Sequence, residues 1–159
     1  MLKYLWLSAL VIFLDQSSKW FMTSLLSLYE SIAVMPFFNF TLAHNYGAAF
    51  SFLAGAGGWQ RWFFIVLTTV ISIVLVIWLK KLNTQAKLEA ISISLILGGA
   101  IGNVIDRIYF GYVVDFLDFY YGTWHFATFN IADSAIVVGA GLLIVDSFIA
   151  KPESEQKSA

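Results

Sequence analysis

Read as apolar and polar positions, the chain divides into four long apolar stretches, Tyr4 to Leu25, Trp59 to Leu79, Leu88 to Ile105 and Ile131 to Ala150. Each is near the roughly 20 residues that an α-helix needs to cross a hydrocarbon core of about 30 Å, so the pattern predicts four membrane-spanning helices. The first stretch is broken by a polar patch from Asp15 to Lys19 and turns apolar again through Trp20 to Leu26, which reads as one retained helix. A cleaved secretory signal is the competing reading of Lys3 followed by the short run Tyr4 to Leu14, but no small-x-small cleavage site comes after that run.

The segments between the first and second stretches, Leu26 to Gly58, and between the third and fourth, Ile108 to Asn130, are much longer than turns and rich in aromatic residues that suit a membrane interface. In the first of them Phe38, Phe40 and Leu42 alternate with Asn39, Thr41 and Ala43, the period-2 pattern of a short strand, and Gly55 to Gly58 end it before the second helix. In the second, Gly122-Thr123 is placed to turn a hairpin between Tyr112 to Tyr121 and Trp124 to Phe129. No internal repeat is visible.

Composition agrees with a lipid setting. The 159 residues are 60% hydrophobic, 18% aromatic and only 12% charged, against about 25% charged in soluble proteins. One domain over residues 1–150 is expected, with a polar, disordered tail from Lys151 to Ala159. A net charge of -1 offers no basic field for nucleic acid, and with no cysteine there are neither disulfides nor thiolate metal sites. Lys3, then Lys80, Lys81 and Lys87, then Lys151 and Lys157 fall on one side of a four-helix topology, while the two opposite segments hold no Lys or Arg. The positive-inside rule therefore places both termini and the short Lys80 to Lys87 loop in the cytoplasm, and the two aromatic segments outside.

Polar groups in such helices are costly, roughly 2.5–3.5 kcal/mol for a charge at a helix centre, so each one kept is a functional candidate. Asp15 and Lys19, four apart, share a helix face and can pair, either as a structural ion pair or as part of a site. Gly98, Gly99 and Gly102 permit close helix contact. Asn103, Asp106 and Arg107 follow on one face at the outer end of the third helix. Asp115, in Val113-Val114-Asp115-Phe116, and Asp133, in Phe129-Asn130-Ile131-Ala132-Asp133, are each set among apolar residues at the same expected depth, near the outer surface. Two carboxylates sharing such a site do not both ionise easily, which makes an acid/base pair for activating water. Alone, Asp133 would read as a helix N-cap. Asp118 reads as an exposed loop charge, and Asp146 as a headgroup-level residue at the inner end of the fourth helix.

Other chemistries fit less well. Ser17, Ser18 and Lys19 are neighbours and do not face one another as a nucleophile and base would. His44 and His125 lie in different segments without an i, i+4 ligand pair, so no metal or other cofactor is expected. A proton-coupled transporter would also keep buried Asp, Asn and Arg, but the carboxylates gather at one face, and paired interrupted helices are missing.

Five blocks in order, Asp15-Gln16 with Lys19, Asn45-Tyr46-Gly47-Ala48-Ala49-Phe50, Gly98-Gly99 through Gly102-Asn103 to Asp106-Arg107, Val114-Asp115-Phe116, and Phe129-Asn130 with Ala132-Asp133, make the whole chain resemble the bacterial lipoprotein signal peptidases, or signal peptidase II. The resemblance implies a membrane all-α fold of four transmembrane helices with a small extracytoplasmic β-rich cradle. It implies an aspartic endopeptidase of the bacterial inner membrane that cuts prolipoproteins just before a diacylglyceryl-modified cysteine. By position, Asp115 and Asp133 would be catalytic; Asn103, Arg107 and Asn130 would line the site, and Asp15, Lys19, Asn45, Gly99 and Ala132 would support it. The implied partners are the prolipoprotein substrate and membrane lipid, with no obligate protein partner. Only the stretch between Asp118 and Phe129 looks free to vary.

Overall fold

The computed structural model describes residues 1–47 and 57–149. Ala48, Ala49, Phe50, Gly55 and Ala150, and the tail from Lys151, lie outside the described residues. After a short 3-10 turn at Leu2–Tyr4 come helix α1, Leu5–Leu25, strands β1, Ser31–Met35, and β2, Phe38–Asn45, then helices α2, Trp59–Lys81, and α3, Lys87–Tyr109. Strands β3, Val113–Tyr121, and β4, Trp124–His125, precede the last helix, α4, Ile131–Ile149.

Helices α2, α3 and α4 are each long and apolar enough to cross a membrane. Helix α1 is as continuous as they are, because the polar patch Asp15 to Lys19 sits on an unbroken helical ladder, with Asp15 and Lys19 buried and Leu10, Phe13, Leu14, Trp20 and Phe21 exposed. Helix α3 is central and packs on each of the other three. It runs four residues past the predicted Ile105, which places Asp106 and Arg107 within its last turn.

Glycines set the helix spacings. A Cβ on Gly98 would stand 2.8 Å from the Val11 side chain, and one on Gly102 2.6 Å from the Asp15 carboxylate, so α1 and α3 touch nearly backbone to backbone. On the opposite side a Cβ on Gly99 would run into the Ala132 carbonyl of α4, and Gly139 meets Ile96 and the Ser92 carbonyl in the same way. Two apolar clusters complete the packing. Leu75, Leu79, Ala90, Ile93 and Leu97 join α2 to α3. Met22 and Leu26 at the end of α1 support Leu42, Val114 and Phe116 of the sheet.

The four strands form one antiparallel sheet in the order β1-β2-β3-β4. Strand β2 lies where the alternation predicts it. Strand β1 was not expected from the sequence: all its residues are exposed, so no buried face imposes a pattern. The predicted hairpin at Gly122-Thr123 forms, with Tyr121 opposite Trp124. Its second arm is a strand of only two residues, beyond which the chain meets β3 again at an isolated bridge, Leu117 opposite Phe129. The sheet bulges between Phe40 and Ala43, which brings Ala43 opposite Asp115 and Asn45 opposite Val113.

The glycine contacts are directly testable. Gly99→Leu is expected to destabilise the fold by about 3 kcal/mol or more, as overpacking at a close backbone contact does. Gly141→Ala, where nothing lies within 4 Å, is expected to unfold like the parent. Thermal unfolding in detergent compares the two, and equal midpoints for Gly99→Leu and the parent would show that the α3–α4 contact is not close-packed.

Candidate active site

The i, i+4 spacing of α1 puts Asp15 and Lys19 on the face turned to α3, and the Lys19 ammonium sits 2.8 Å from Asp15 Oδ2. It also lies 2.9 Å from Asp106 Oδ2 and donates to Asn103 Oδ1 at 3.1 Å. An ammonium can only donate, so this contact fixes which end of the Asn103 amide is which. The Nδ2 of Asn103 therefore points the other way and donates to Asp133 Oδ1 at 2.7 Å.

The second oxygen of Asp15, Oδ1, accepts the backbone N–H of Ala132 at 2.9 Å. That N–H belongs to the first turn of α4 and would otherwise be unpaired. Asn130 caps the same helix: its Oδ1 accepts the Asp133 N–H at 2.9 Å. Asp133, read alone as an N-cap, is thus the third residue of the helix, and Asn130 takes the capping role. Since Asn130 Oδ1 must accept, its Nδ2 donates, to Asp115 Oδ1 at 2.7 Å and to the Val114 carbonyl at 3.2 Å. Asn45 follows the same logic, for its Oδ1 accepts the Gly47 N–H at 3.0 Å and its Nδ2 donates to Asp115 Oδ2 at 3.1 Å.

Asp115 and Asp133 are therefore bridged by one side chain, Asn130. Asp115 is 2% exposed, on the sheet. Its burial, and then the negative charge of Asp133, push its carboxyl up to about 7 against the hydrogen bonds from Asn45 and Asn130. Asp133 opens on a cavity of about 570 Å³ whose polar end is formed by Asn45, Asn103, Arg107 and Asp133, and whose apolar walls are Phe126, Phe129 and the Ile136 to Val138 stretch of α4. Arg107 is buried at the cavity edge, where it donates to the Gly47 carbonyl at 2.8 Å and covers the Phe64 ring.

All ten residues singled out from sequence gather around this point; Gly99 and Ala132 do so as the close contact between α3 and α4. Two more belong there. Asp106 takes the Val114 N–H at 3.0 Å, next to Asp115, as well as Lys19. Gln16 donates to Asp106 Oδ1 at 2.8 Å and to Asp15 Oδ2 at 3.1 Å. Their signal was present, Asp106 sharing a face with Asn103 and Gln16 adjoining Asp15, but only contacts across helices show what they hold. Arg61, at the start of α2, donates to the carbonyls of Arg107 and Ile108, each at 2.8 Å, and so caps the C-terminus of α3 with a cation. Asp118 is a correction: it is 3% exposed, not an exposed loop charge, because Thr41 and His125 close over it. The two histidines lie on the sheet, His44 stacked on Tyr112 and His125 against Asp118.

Comparison with known proteins decides the family. The model of signal peptidase (SPase) II matches residues 7–149. The chain belongs to the signal peptidase II family. A lipoprotein signal peptidase of Alteromonas mediterranea is 57% identical over 147 residues, covering 92% of this chain and 81% of the relative. One from Pasteurella multocida is 53% identical over 157 residues, covering 99% and 95%. A bacterial membrane enzyme solved by the in meso method at 2.3 Å superposes with a TM-score of 0.83 at 34% identity, over 95% of this chain and 92% of that one. The chain is thus a signal peptidase II protease, with apolar helices and the fold of a membrane enzyme.

Two stability outcomes follow for this signal peptidase II. Lys19→Met leaves Asp15 and Asp106 buried without their cation, and is expected to cost about 3–5 kcal/mol, read as lost thermal stability in detergent. An undiminished midpoint would mean that these carboxylates are held without Lys19. The second concerns Asp115. Because its folded value, about 7, is above the unfolded one, the folded state holds the proton longer, and stability falls as pH rises from about 4 to about 7 by up to roughly 4 kcal/mol. Asp115→Asn is expected to flatten that slope and to be the more stable protein above pH 7, and a parent stability that does not change across this window contradicts the assignment.

Proposed function

We propose that the protein removes signal peptides from prolipoproteins immediately before the diacylglyceryl-modified cysteine, with Asp115 and Asp133 as its catalytic pair. The observation that carries the reading is the Asn130 bridge, which ties the buried Asp115 carboxylate on the sheet to the backbone N–H of Asp133, whose own carboxylate faces the cavity from α4. The names of the relatives supply the substrate class.

In this reading α1 crosses the membrane with α2, α3 and α4, its charged face buried and its apolar face toward lipid. Both termini are cytoplasmic, and the sheet lies outside the bilayer as a cradle. The substrate's acyl chains remain in lipid, and its peptide enters the cavity from the side of the apolar α4 wall.

The pair shares one proton near neutral pH, because two negative charges in one desolvated site repel each other. The ionised carboxylate takes a proton from a water molecule, and the resulting hydroxide attacks the scissile carbonyl. The protonated partner donates to the developing oxyanion and later protonates the leaving amine. Asn103, Asn130 and Asn45 hold the carboxylates in place, while Arg107, anchored on Gly47, shapes the polar end of the cavity.

With a diacylglyceryl-modified prolipoprotein and purified protein in detergent, Asp115→Asn and Asp133→Asn are each expected to lower kcat/KM by about 10³-fold or more at equal folded yield. The pH profile of the parent is expected to fall above about 7, where Asp115 loses the last proton of the pair. Cleavage by both variants at the parent rate would make the aspartates structural. Failure of the parent to cut any such substrate would move the transporter reading to the front.

A further inference from the structure

Outside the dyad, the sheet hides a second carboxylate with a built environment. Asp118 accepts the Thr41 hydroxyl at 2.8 Å and a longer contact from Asn39 at 3.4 Å, and both its oxygens meet His125 Nδ1, at 2.9 and 3.1 Å. Thr41 is itself bonded to Ser31 at 2.8 Å. One buried carboxylate thus ties β2, β3 and β4 directly and reaches β1 through one hydroxyl. Burial pushes the Asp118 carboxyl up, but the hydrogen bonds from His125, Thr41 and Asn39 outweigh it and hold the group below the usual carboxylate range.

The strand it secures is the weakest element of the sheet. Strand β4 has two residues, too few for a ladder to hold on its own. Directly after His125 the chain becomes the cavity wall, Phe126 to Phe129, fastened to β3 by the Phe126 N–H on the Phe119 carbonyl and the Phe129 N–H on the Leu117 carbonyl. Ala127 and Thr128 face the cavity between these two fastenings. Behind the wall lies a second, shallower cavity of about 510 Å³, also lined by Phe126 and Phe129. The wall makes no continuous ladder with β3: it is held by backbone bonds at Phe126 and Phe129, by the Phe129 ring against Phe119 and Phe126, and by what fixes its two ends. One end is Asn130, the dyad's bridge; the other is the Asp118–His125 contact.

We propose that Asp118, with His125, is a positioning residue for substrate binding: it fixes the Phe126–Phe129 wall, and Ala127 sets the width left for the substrate peptide beside Asp133. This rests on the peptidase reading above. The dyad is held by Asn45, Asn103 and Asn130, none of which touches Asp118, so loosening the clasp is expected to weaken binding and leave the chemical step intact.

The test uses the full-length protein in detergent and a diacylglyceryl-modified prolipoprotein. Asp118→Ala is expected to raise KM about tenfold with kcat within twofold of the parent. Asp118→Asn, which keeps an acceptor oxygen for Thr41 and His125, is expected to restore KM to within twofold. Ala127→Leu, which leaves the clasp intact and fills the cavity, is expected to raise KM at least tenfold, and so tests the wall even if Asp118→Ala folds poorly. A fall in kcat with KM unchanged in Asp118→Ala, or parent-like KM in Ala127→Leu, overturns the proposal while leaving the peptidase reading in place. A parent protein that does not cut at all overturns both, and a parent that cuts while Asp115→Asn does not keeps the peptidase reading whatever the Asp118 and Ala127 variants show.

Discussion

The arrangement hangs on one ammonium group. Lys19 Nζ stands between Asp15 and Asp106, 2.8 and 2.9 Å away, and reaches Asn103 as well, with all three partners buried. A lone charge at this depth would be prohibitive, and a single ion pair would still be costly. Three acceptors around three N–H donors make a fully satisfied set, in which each polar group removes the others' reason to seek water. Because the set draws on α1 and α3, and Asp15 and Asp106 each bind a further backbone N–H, it also fixes where α4 begins and where β3 passes. Replacing it with apolar residues would keep the helices together. It would not say how they are aligned.

From that point the geometry of the carboxylate pair follows by elimination of alternatives. An asparagine amide can be flipped without changing its shape, and three of them surround Asp115 and Asp133. Each has one end tied to a group that can only donate: Lys19 for Asn103, the Asp133 N–H for Asn130, and the Gly47 N–H for Asn45. All three therefore present N–H to the carboxylates. The glycines of α3 serve the same end at the level of packing, since α1 and α4 must approach closely for Asp15 to reach the Ala132 N–H.

Much of this was legible in the sequence, and the reason is membrane chemistry. Lipid tolerates so few polar side chains that Asp15, Lys19, Asn103, Arg107, Asn130 and Asp133 stand out without any structure. Strand β2 was legible because its apolar positions alternate, with Leu42 in the buried cluster under the sheet and Phe40 packed against it. Strand β1, exposed along its length, carries no such constraint. The role of Asp118 was hidden for a related reason: a carboxylate in an aromatic loop reads as solvated unless the strands that bring Thr41 and His125 to it are known. Asp106 was visible as a residue, but its grip on the Val114 N–H depends on a loop whose path no periodicity records.

What the pair lacks is as informative as what surrounds it. Two cations lie close by, yet Lys19 is engaged with Asp15 and Asp106, and Arg107 donates to the carbonyls of Gly47 and Asn103. Among the described residues no ion pair reaches Asp115 or Asp133 directly. A direct pair with Lys or Arg would favour the ionised carboxylate and hold it so. A neutral amide favours the ionised form less than a cation in contact would, so it orients the carboxylate more than it fixes its protonation. In the proposed mechanism one proton is given and taken at a fixed place, and there the amides touch the two carboxylates while the ion pairs of Lys19 are made with Asp15 and Asp106.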